Sequence, residues 1–321
     1  MKHCEHVGKL MNNVKQILAV IACLGFVGLT CPSSIRAYDH ASAKTPRDRY
    51  DRSNVPIEVQ PTDPHAAKIV LIAGDAGVGH GPGEHEHFAG CALLMRMLQQ
   101  TPGVAPVMAK DGWPTNPETL KNARTLVFYM DGGGKQTTIA HAAEIQKMMD
   151  AGVGIVHLHQ VIDYPTVPGK QAMQWLGGVY DAKAGGARGH WDETFDHFPD
   201  HPITRGVEPF TLNDGWILKL TFVPEMKGIT PLMRTTQLSP KGKPATPIVG
   251  TGNIVCWAYD RPDGGRAFVL TGAHGHKNWG LPGLRRLVVN GILWTAKVDI
   301  PAGGAPVVLV PEELMTNMDR K

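Results

Sequence analysis

Near-continuous apolar runs, each about six residues long, stand at 68–73 (KIVLIA), 125–130 (TLVFYM) and 153–158. Runs that short, without polar alternation, are the pattern of strands buried on both faces. A fourth short strand is read at 104–109. Between these runs the apolar spacing lengthens to that of a helix, which predicts helices over about 84–100, 136–150 and 169–176. Buried strands alternating with helices predict an α/β fold, a mostly parallel sheet with helices on both faces. From 177 to 243 periodicity fades and an irregular insertion is expected, except that Trp216-Ile217-Leu218-Lys219-Leu220 alternates like a more exposed strand. The segments 254–259 and 266–271 flank Pro262-Asp263-Gly264-Gly265, which predicts a β-hairpin. Leu284, Leu287, Val288, Gly291 and Ile292 share one face of a last helix over 281–296.

The ends of the chain differ from this core. Lys2, Lys9 and Lys15 precede an apolar run from Ile17 to Leu29, followed by small residues with cleavage points after Ala37 or Ala43. This pattern predicts a signal peptide over 1–37 and an exported, periplasmic or secreted protein with no stable membrane insertion after cleavage; a retained anchor is the other reading. Residues 38–66 carry Pro46, Pro56, Pro61 and Pro64 without periodicity and read as a linker or N-terminal arm. The domain is expected over 67–300, with a tail over 301–321.

Charge and cysteine change meaning once the leader is set aside. Removing residues 1–37 takes four basic residues and one acid from totals of 32 and 29, leaving 28 of each. A formally neutral mature chain argues against a nucleic-acid surface. Cys91 and Cys256 remain, read as buried free thiols or as a disulfide.

The candidate chemistry is histidine. Eleven of 15 histidines fall within 68–296, and three pairs have the form His-x-His: His85/His87, His157/His159 and His274/His276. Residues two apart on a strand face the same side, and ligands of parallel α/β sheets bind beyond the strands' carboxyl ends. His159 and the His274/His276 pair are therefore expected to converge, with His157 either deeper in the core or at the site. His85 and His87 open the first predicted helix, where one of them would face the site. The glycines of the Asp131-Gly132-Gly133-Gly134 turn, Gly133 among them, either admit a ligand close to the backbone or make a plain turn. In His190-Trp191, the Trp face would stack on a sugar-like ligand while the His bonds its hydroxyls. Asp214 either orients a histidine, acts as a base or fixes a turn. Gly77-Val78-Gly79-His80-Gly81 lacks both the dinucleotide and the Walker spacing, so no nucleotide is expected. Imidazoles with carboxylates suit a divalent metal or metal-free acid–base chemistry equally. His87, His159, His190 and His274 are the candidate ligands.

In chain order stand KIVLIAGDAGVGH, GEHEHFAGC, VFYMDGGG, GVGIVHLHQVID, WLGG, GHW, HPITRGV, NDGW, VCWAYDRPDGGRAFVLTGAHGHKNWG and NGILWTA. This ordered set resembles the ThuA-like, or trehalose-utilisation, family over about residues 67–318. The resemblance implies a doubly wound, flavodoxin-like sheet of the class I glutamine amidotransferase-like type. It does not imply glutaminase activity, because the strand-to-helix elbow carries His159-Gln160 where that chemistry needs a cysteine. It implies a carbohydrate partner, such as a disaccharide or a 3-keto-glycoside, and points to His87 (or His85), His159, His190, Asp214 and His274/His276. Relatives often carry Asp-Glu where this chain has Asp214-Gly215. The expectation is a glycoside-directed hydrolase, lyase or isomerase. His159, His274 and Asp214 would be catalytic, and His87, His190, Trp191, His276 and Gly133 would bind substrate. A non-catalytic sugar-binding module with the same pocket is the alternative.

Overall fold

The computed structural model describes residues 48–75, 79–239 and 243–321. The predicted signal peptide and its cleavage points lie outside the described residues. The elements are β1 (Ala67–Ala73), α1 (His87–Leu98), β2 (Val104–Ala109), β3 (Thr125–Tyr129), α2 (Ala142–Asp150), β4 (Gly154–Leu158), α3 (Thr166–Leu176), β5 (Ala187–Phe195), β6 (Phe210–Leu218), β7 (Ile229–Arg234), β8 (Ile254–Asp260), β9 (Arg266–Leu270) and α4 (Pro282–Thr295).

The main sheet has seven strands in the order β2-β1-β3-β4-β9-β8-β7. The first five are parallel; β8 runs antiparallel to both β9 and β7, so β7 shares the direction of the first five. This is the mostly parallel, doubly wound α/β sheet expected. Its inner strands β1, β3, β4, β8 and β9 are buried on both faces, and their alternate side chains feed two cores. Ile69, Leu71 and Val127 pack with Cys91, Leu94, Leu287 and Ile292 from α1 and α4. Val70, Ile72 and Leu126 pack with Ile145, Met149 and Trp175 from α2 and α3. A continuous apolar run is the signature of that two-sided burial. Cys91 and Cys256 are buried free thiols.

Three expectations are corrected. The insertion is not irregular throughout: β5 and β6 form a nine-residue antiparallel ribbon. In β5 the buried positions are Gly189, Trp191, Glu193 and Phe195, so the pattern is a strand alternation whose inward set includes an acid. An edge strand, β7, passed unread because Pro231 interrupts it, and edges are where a sheet tolerates proline. The first helix starts later than predicted. His85 has φ 49°, in the left-handed region, and Glu84 instead bridges to Gly275. Only His87 is helical.

The arm and the tail both dock on the domain. Ile57 adds a bridge to Met108 in β2. In the tail, Asn290 of α4 accepts from the Ala305 N–H, and Arg285 donates to the Val307 carbonyl.

Candidate active site

The order of the sheet reverses between β1 and β3, and the crevice beyond such a switch point is where doubly wound folds bind ligands. Three loops meet there. One leads from β1 to α1, one leaves β4, and one leaves β9. Each delivers a histidine through a left-handed residue: His85 (φ 49°), His159 (φ 61°) and Ala273 (φ 75°) just before His274. Such backbone costs about 1–3 kcal/mol per residue and clusters at functional sites.

The three rings turn their nitrogens toward one point. His85 Nε2 lies 2.8 Å from His274 Nδ1 and 3.1 Å from His159 Nε2. His159 Nε2 lies 3.3 Å from His274 Nδ1. The far side of two of the rings is held by a hydrogen bond, and that of the third faces a carboxylate. His159 Nδ1 donates to the Thr271 carbonyl at 2.8 Å, His85 Nδ1 donates to Asp131, and His274 Nε2 faces Glu84 Oε1 at 3.5 Å. Since a carbonyl can only accept, the His159 proton sits on Nδ1 and Nε2 presents a bare lone pair. Burial, reinforced by His85 and His274, holds the His159 imidazole well below its ordinary value. Burial, with His85 and His190 nearby, lowers His274 to about 4. Both are neutral at pH 7. Burial works to raise the Asp131 carboxyl, but the His85 hydrogen bond and the proximity of His87 and His85 outweigh it, leaving it below the usual aspartate value.

Other side chains tighten the same cluster. His80 stacks on His85 at 3.4 Å between ring centres. The Gln160 amide, with its nitrogen toward Asp131 (3.1 Å), accepts from Arg188 (2.8 Å). The cluster opens on two adjoining cavities. The smaller, about 120 Å³, is lined by His80, His85, His159, Gln160, Arg188, His190 and His274. The larger, about 400 Å³, is lined by Arg49, Glu84, His190, Asn213, His274, Met315 and Met318 among others.

The sequence-predicted residues fall into distinct places. His159 and His274 belong to the cluster. His85 joins them where His87 was expected. His87 is buried at the start of α1, with Nδ1 donating to the Asp75 carbonyl at 3.0 Å and Nε2 3.6 Å from Asp131. His190 projects from the exposed face of β5 into both cavities, its ring 4.5 Å from that of His274. Gly215 pairs with it across the ribbon, and a Cβ there would come within 2.9 Å of both His190 Nε2 and the His274 side chain. Glycine is what lets those two imidazoles approach. Trp191 faces the other way, into the core, with its indole donating to Glu193, so it offers no face to a sugar.

Asp214 lines the larger cavity, yet its oxygens accept from the N–H groups of Ala273, His274, Gly275 and Gly215 at 2.7–3.0 Å. Burial raises its carboxyl above the ordinary value against the pull of those donors. It anchors the His274 loop. His276 also lines the cavity, but its Nε2 is held by the Leu314 carbonyl at 2.8 Å. Gly133 lines neither cavity. Its φ of 93° serves a turn closed by its N–H to the Asp163 carbonyl. His157 is buried between Phe128 and Tyr164, in the core.

Sequence reasoning missed Asp131 as a histidine partner, although its place at the end of β3 was the available signal. It also missed Arg49, Met315 and Met318, which come from the arm and the tail and carry no motif.

The profile of the ThuA family, described as trehalose utilisation, matches residues 70–295. The chain belongs to the ThuA family. Among solved structures, a ThuA-like protein from Parabacteroides merdae aligns at 12% identity over 78% of this chain and 99% of that one, with a TM-score of 0.54. A ThuA-like protein from Bacteroides uniformis aligns at 18% identity over 78% and 98%, with a TM-score of 0.48. A glutamine amidotransferase from Thermotoga maritima aligns at 11% identity over 73% and 96%, with a TM-score of 0.39. No curated protein sequence matches the chain. In this ThuA-family chain the elbow after β4 holds His159, and burial raises the thiols of Cys91 and Cys256, so neither is a thiolate at neutral pH.

Proposed function

We propose that the protein is an exported carbohydrate-directed enzyme acting on a disaccharide or a 3-keto-glycoside, as a hydrolase, lyase or isomerase. The observation that carries this reading is the convergence of three imidazole nitrogens, 2.8–3.3 Å apart, in a cavity of about 120 Å³ that adjoins, at His190 and His274, one of about 400 Å³. A cavity of that size lies within the range that encloses a small organic ligand. Asp131 accepts the Nδ1 proton of His85, which turns Nε2 toward the other two imidazoles, where it is available either to a substrate proton or to an ion that polarises the sugar carbonyl or activates a water. His190 bonds hydroxyls from the ribbon side, and Met315 and Met318 supply an apolar wall for a pyranose face. Asp214 contributes by holding the His274 loop in place.

One observation favours a binding-only module. The oxygens of Asp214 are engaged by backbone donors, so this acid is not free to move a proton. Incubation of the purified protein with α-linked disaccharides and their 3-keto derivatives, with products resolved by chromatography, separates the two. The enzyme reading expects turnover that falls by about 100-fold or more in His159→Gly. Sugar binding by the wild type without turnover of any substrate would sink it. The mass of the protein recovered outside the cytoplasm tests export; a chain retaining residues 1–37 would contradict cleavage.

A further inference from the structure

We infer that His85, His159 and His274 form a three-histidine site for one divalent ion of the Zn²⁺ type, with its remaining position open to the cavity. The inference deepens the functional reading above, because it concerns the same cluster.

The first argument is the arithmetic of protons. Three ring nitrogens stand 2.8, 3.1 and 3.3 Å apart. His159 must carry its proton on Nδ1, because its partner there is a carbonyl. His85 carries its proton toward the Asp131 carboxylate. With one proton on each ring, the two Nε2 atoms meet at 3.1 Å as two lone pairs, which repel unless a proton or a metal ion lies between them. His274 turns Nδ1 to the same point and Nε2 toward Glu84. A cation at the common point satisfies all three rings at once.

The second argument is size. A triangle with these edges has its corners about 1.8 Å from its centre, so an ion at the usual Zn–N distance of about 2.0–2.1 Å sits about 1 Å off the plane. Nitrogen-only donors select Zn²⁺, Co²⁺, Ni²⁺ or Cu²⁺ over Mg²⁺ and Ca²⁺. The third is the outer contacts. Metal-bound histidines characteristically donate their other N–H to a carboxylate or a backbone carbonyl, which is what Asp131 and Thr271 receive. All three rings line the cavity of about 120 Å³, so one face of the ion is left for water or substrate. An ion so placed polarises a sugar carbonyl or activates a water.

Two other groupings have donor atoms within 4.8 Å of one another: His80, His85 and His274, and His85, His87 and Asp131. In the first, the His80 ring lies stacked flat on His85 at 3.4 Å rather than pointing a nitrogen at the common point. The second is looser, with His87 Nε2 3.6 Å from Asp131, and it would require His85 to give up its proton to Asp131. The three-imidazole triangle is the better site.

The test uses Zn²⁺ and Co²⁺ alone, without sugar. Metal-stripped full-length protein is titrated by calorimetry, the bound ion is counted by elemental analysis, and the visible spectrum of the Co²⁺ form is recorded. One ion per chain and a Co²⁺ spectrum typical of four-coordinate nitrogen ligation are expected. His159→Ala and His274→Ala should each weaken binding at least 100-fold. Asp131→Asn should weaken it about 10–100-fold, and His87→Gln should leave it within a few-fold. Zn²⁺ should raise the melting temperature of the wild type and not that of folded His159→Ala, which separates lost binding from lost folding. Three results would overturn the inference: no stoichiometric ion, an ion bound equally well by His159→Ala, or binding lost in His87→Gln and kept in His159→Ala. Sugar turnover undiminished after complete metal removal would also overturn it while leaving the functional reading intact. An ion bound as described without any turnover would sink only the enzyme reading.

Discussion

The two ends of the sheet treat polar groups in opposite ways. At the amino end, buried charges are closed off. The Lys68 ammonium, at the start of β1, donates to Gln60 and to the carbonyls of Glu118 and Lys121 at 2.6–3.0 Å. Arg261, in the turn before β9, is spent on Asp263 and on the carbonyls of Met149 and Val153. At the carboxyl end, the described residues leave His87 Nε2, His276 Nδ1 and the Thr271 hydroxyl buried without a hydrogen-bond partner, His274 Nε2 has only the Glu84 carboxylate at 3.5 Å, and three imidazoles face one another. Satisfied buried polar groups stabilise, and unsatisfied ones cost about 1–3 kcal/mol each. The amino end is built for stability. The carboxyl end leaves bonding capacity unused, in three loops that each accept a left-handed residue, as the proposed site requires.

Substitutions at the two ends should therefore separate stability from activity. The largest effect is expected from His159→Gly. It should remove about 100-fold or more of turnover, while the unfolding free energy, measured in urea, falls by about 1–2 kcal/mol, because relief of the strained φ offsets part of the lost Thr271 bond and of the cavity left by the ring. Lys68→Met at the other end should do the reverse. Stability falls by about 2–4 kcal/mol as three acceptors lose their donor, and kcat per folded molecule is unchanged.

Asp214→Ala belongs to both regimes. Four backbone N–H groups lose their acceptor, so stability should fall by about 3–4 kcal/mol and the His274 loop should lose order, read as faster amide exchange at 273–275. Loss of activity with full protection of those amides would contradict the anchoring role.

The pH dependence follows from the same end of the sheet. Burial lowers His87 and His276 to about 4 and His157 to about 3, against about 6.5 in the unfolded chain. The folded state therefore resists protons that the unfolded state takes up. Stability from these groups is fully present above pH 6.5 and is lost as pH falls from there toward about 4. In metal-free protein each such histidine should contribute a slope of about 1 kcal/mol per pH unit below pH 6. Urea unfolding at pH 7.5, 6.0 and 5.0 measures it, and a flat profile would contradict the burial of neutral imidazoles. The smallest effect is expected from Gly215→Ala. Its Cβ would push His190 and His274 apart, costing about 1–3 kcal/mol and lowering turnover about 10-fold in a kcat/KM comparison.

Much of the sheet was legible because double-sided burial writes itself as apolar runs, and the hairpin because its turn residues do. The ribbon was not, since Glu193 occupies an inward position of β5 and the polar ligands that satisfy it, such as Thr236, lie far along the chain. At the site, the strand-end argument located His159 and His274. It failed at 85–87 because left-handed φ at His85 has no signal in a run that otherwise starts a helix. Asp214 was recognised as important, but whether its oxygens meet a ligand or a loop backbone depends on tertiary placement.

The most direct measurement is a sugar titration of the purified protein followed by side-chain ¹H–¹⁵N resonances of its histidines. If the carboxyl end is the site, trehalose or its 3-keto derivative should shift the resonances of His190 and His274 in a saturable way and leave His201 and His141 unmoved. Saturable binding that leaves His190 and His274 unchanged would contradict the account.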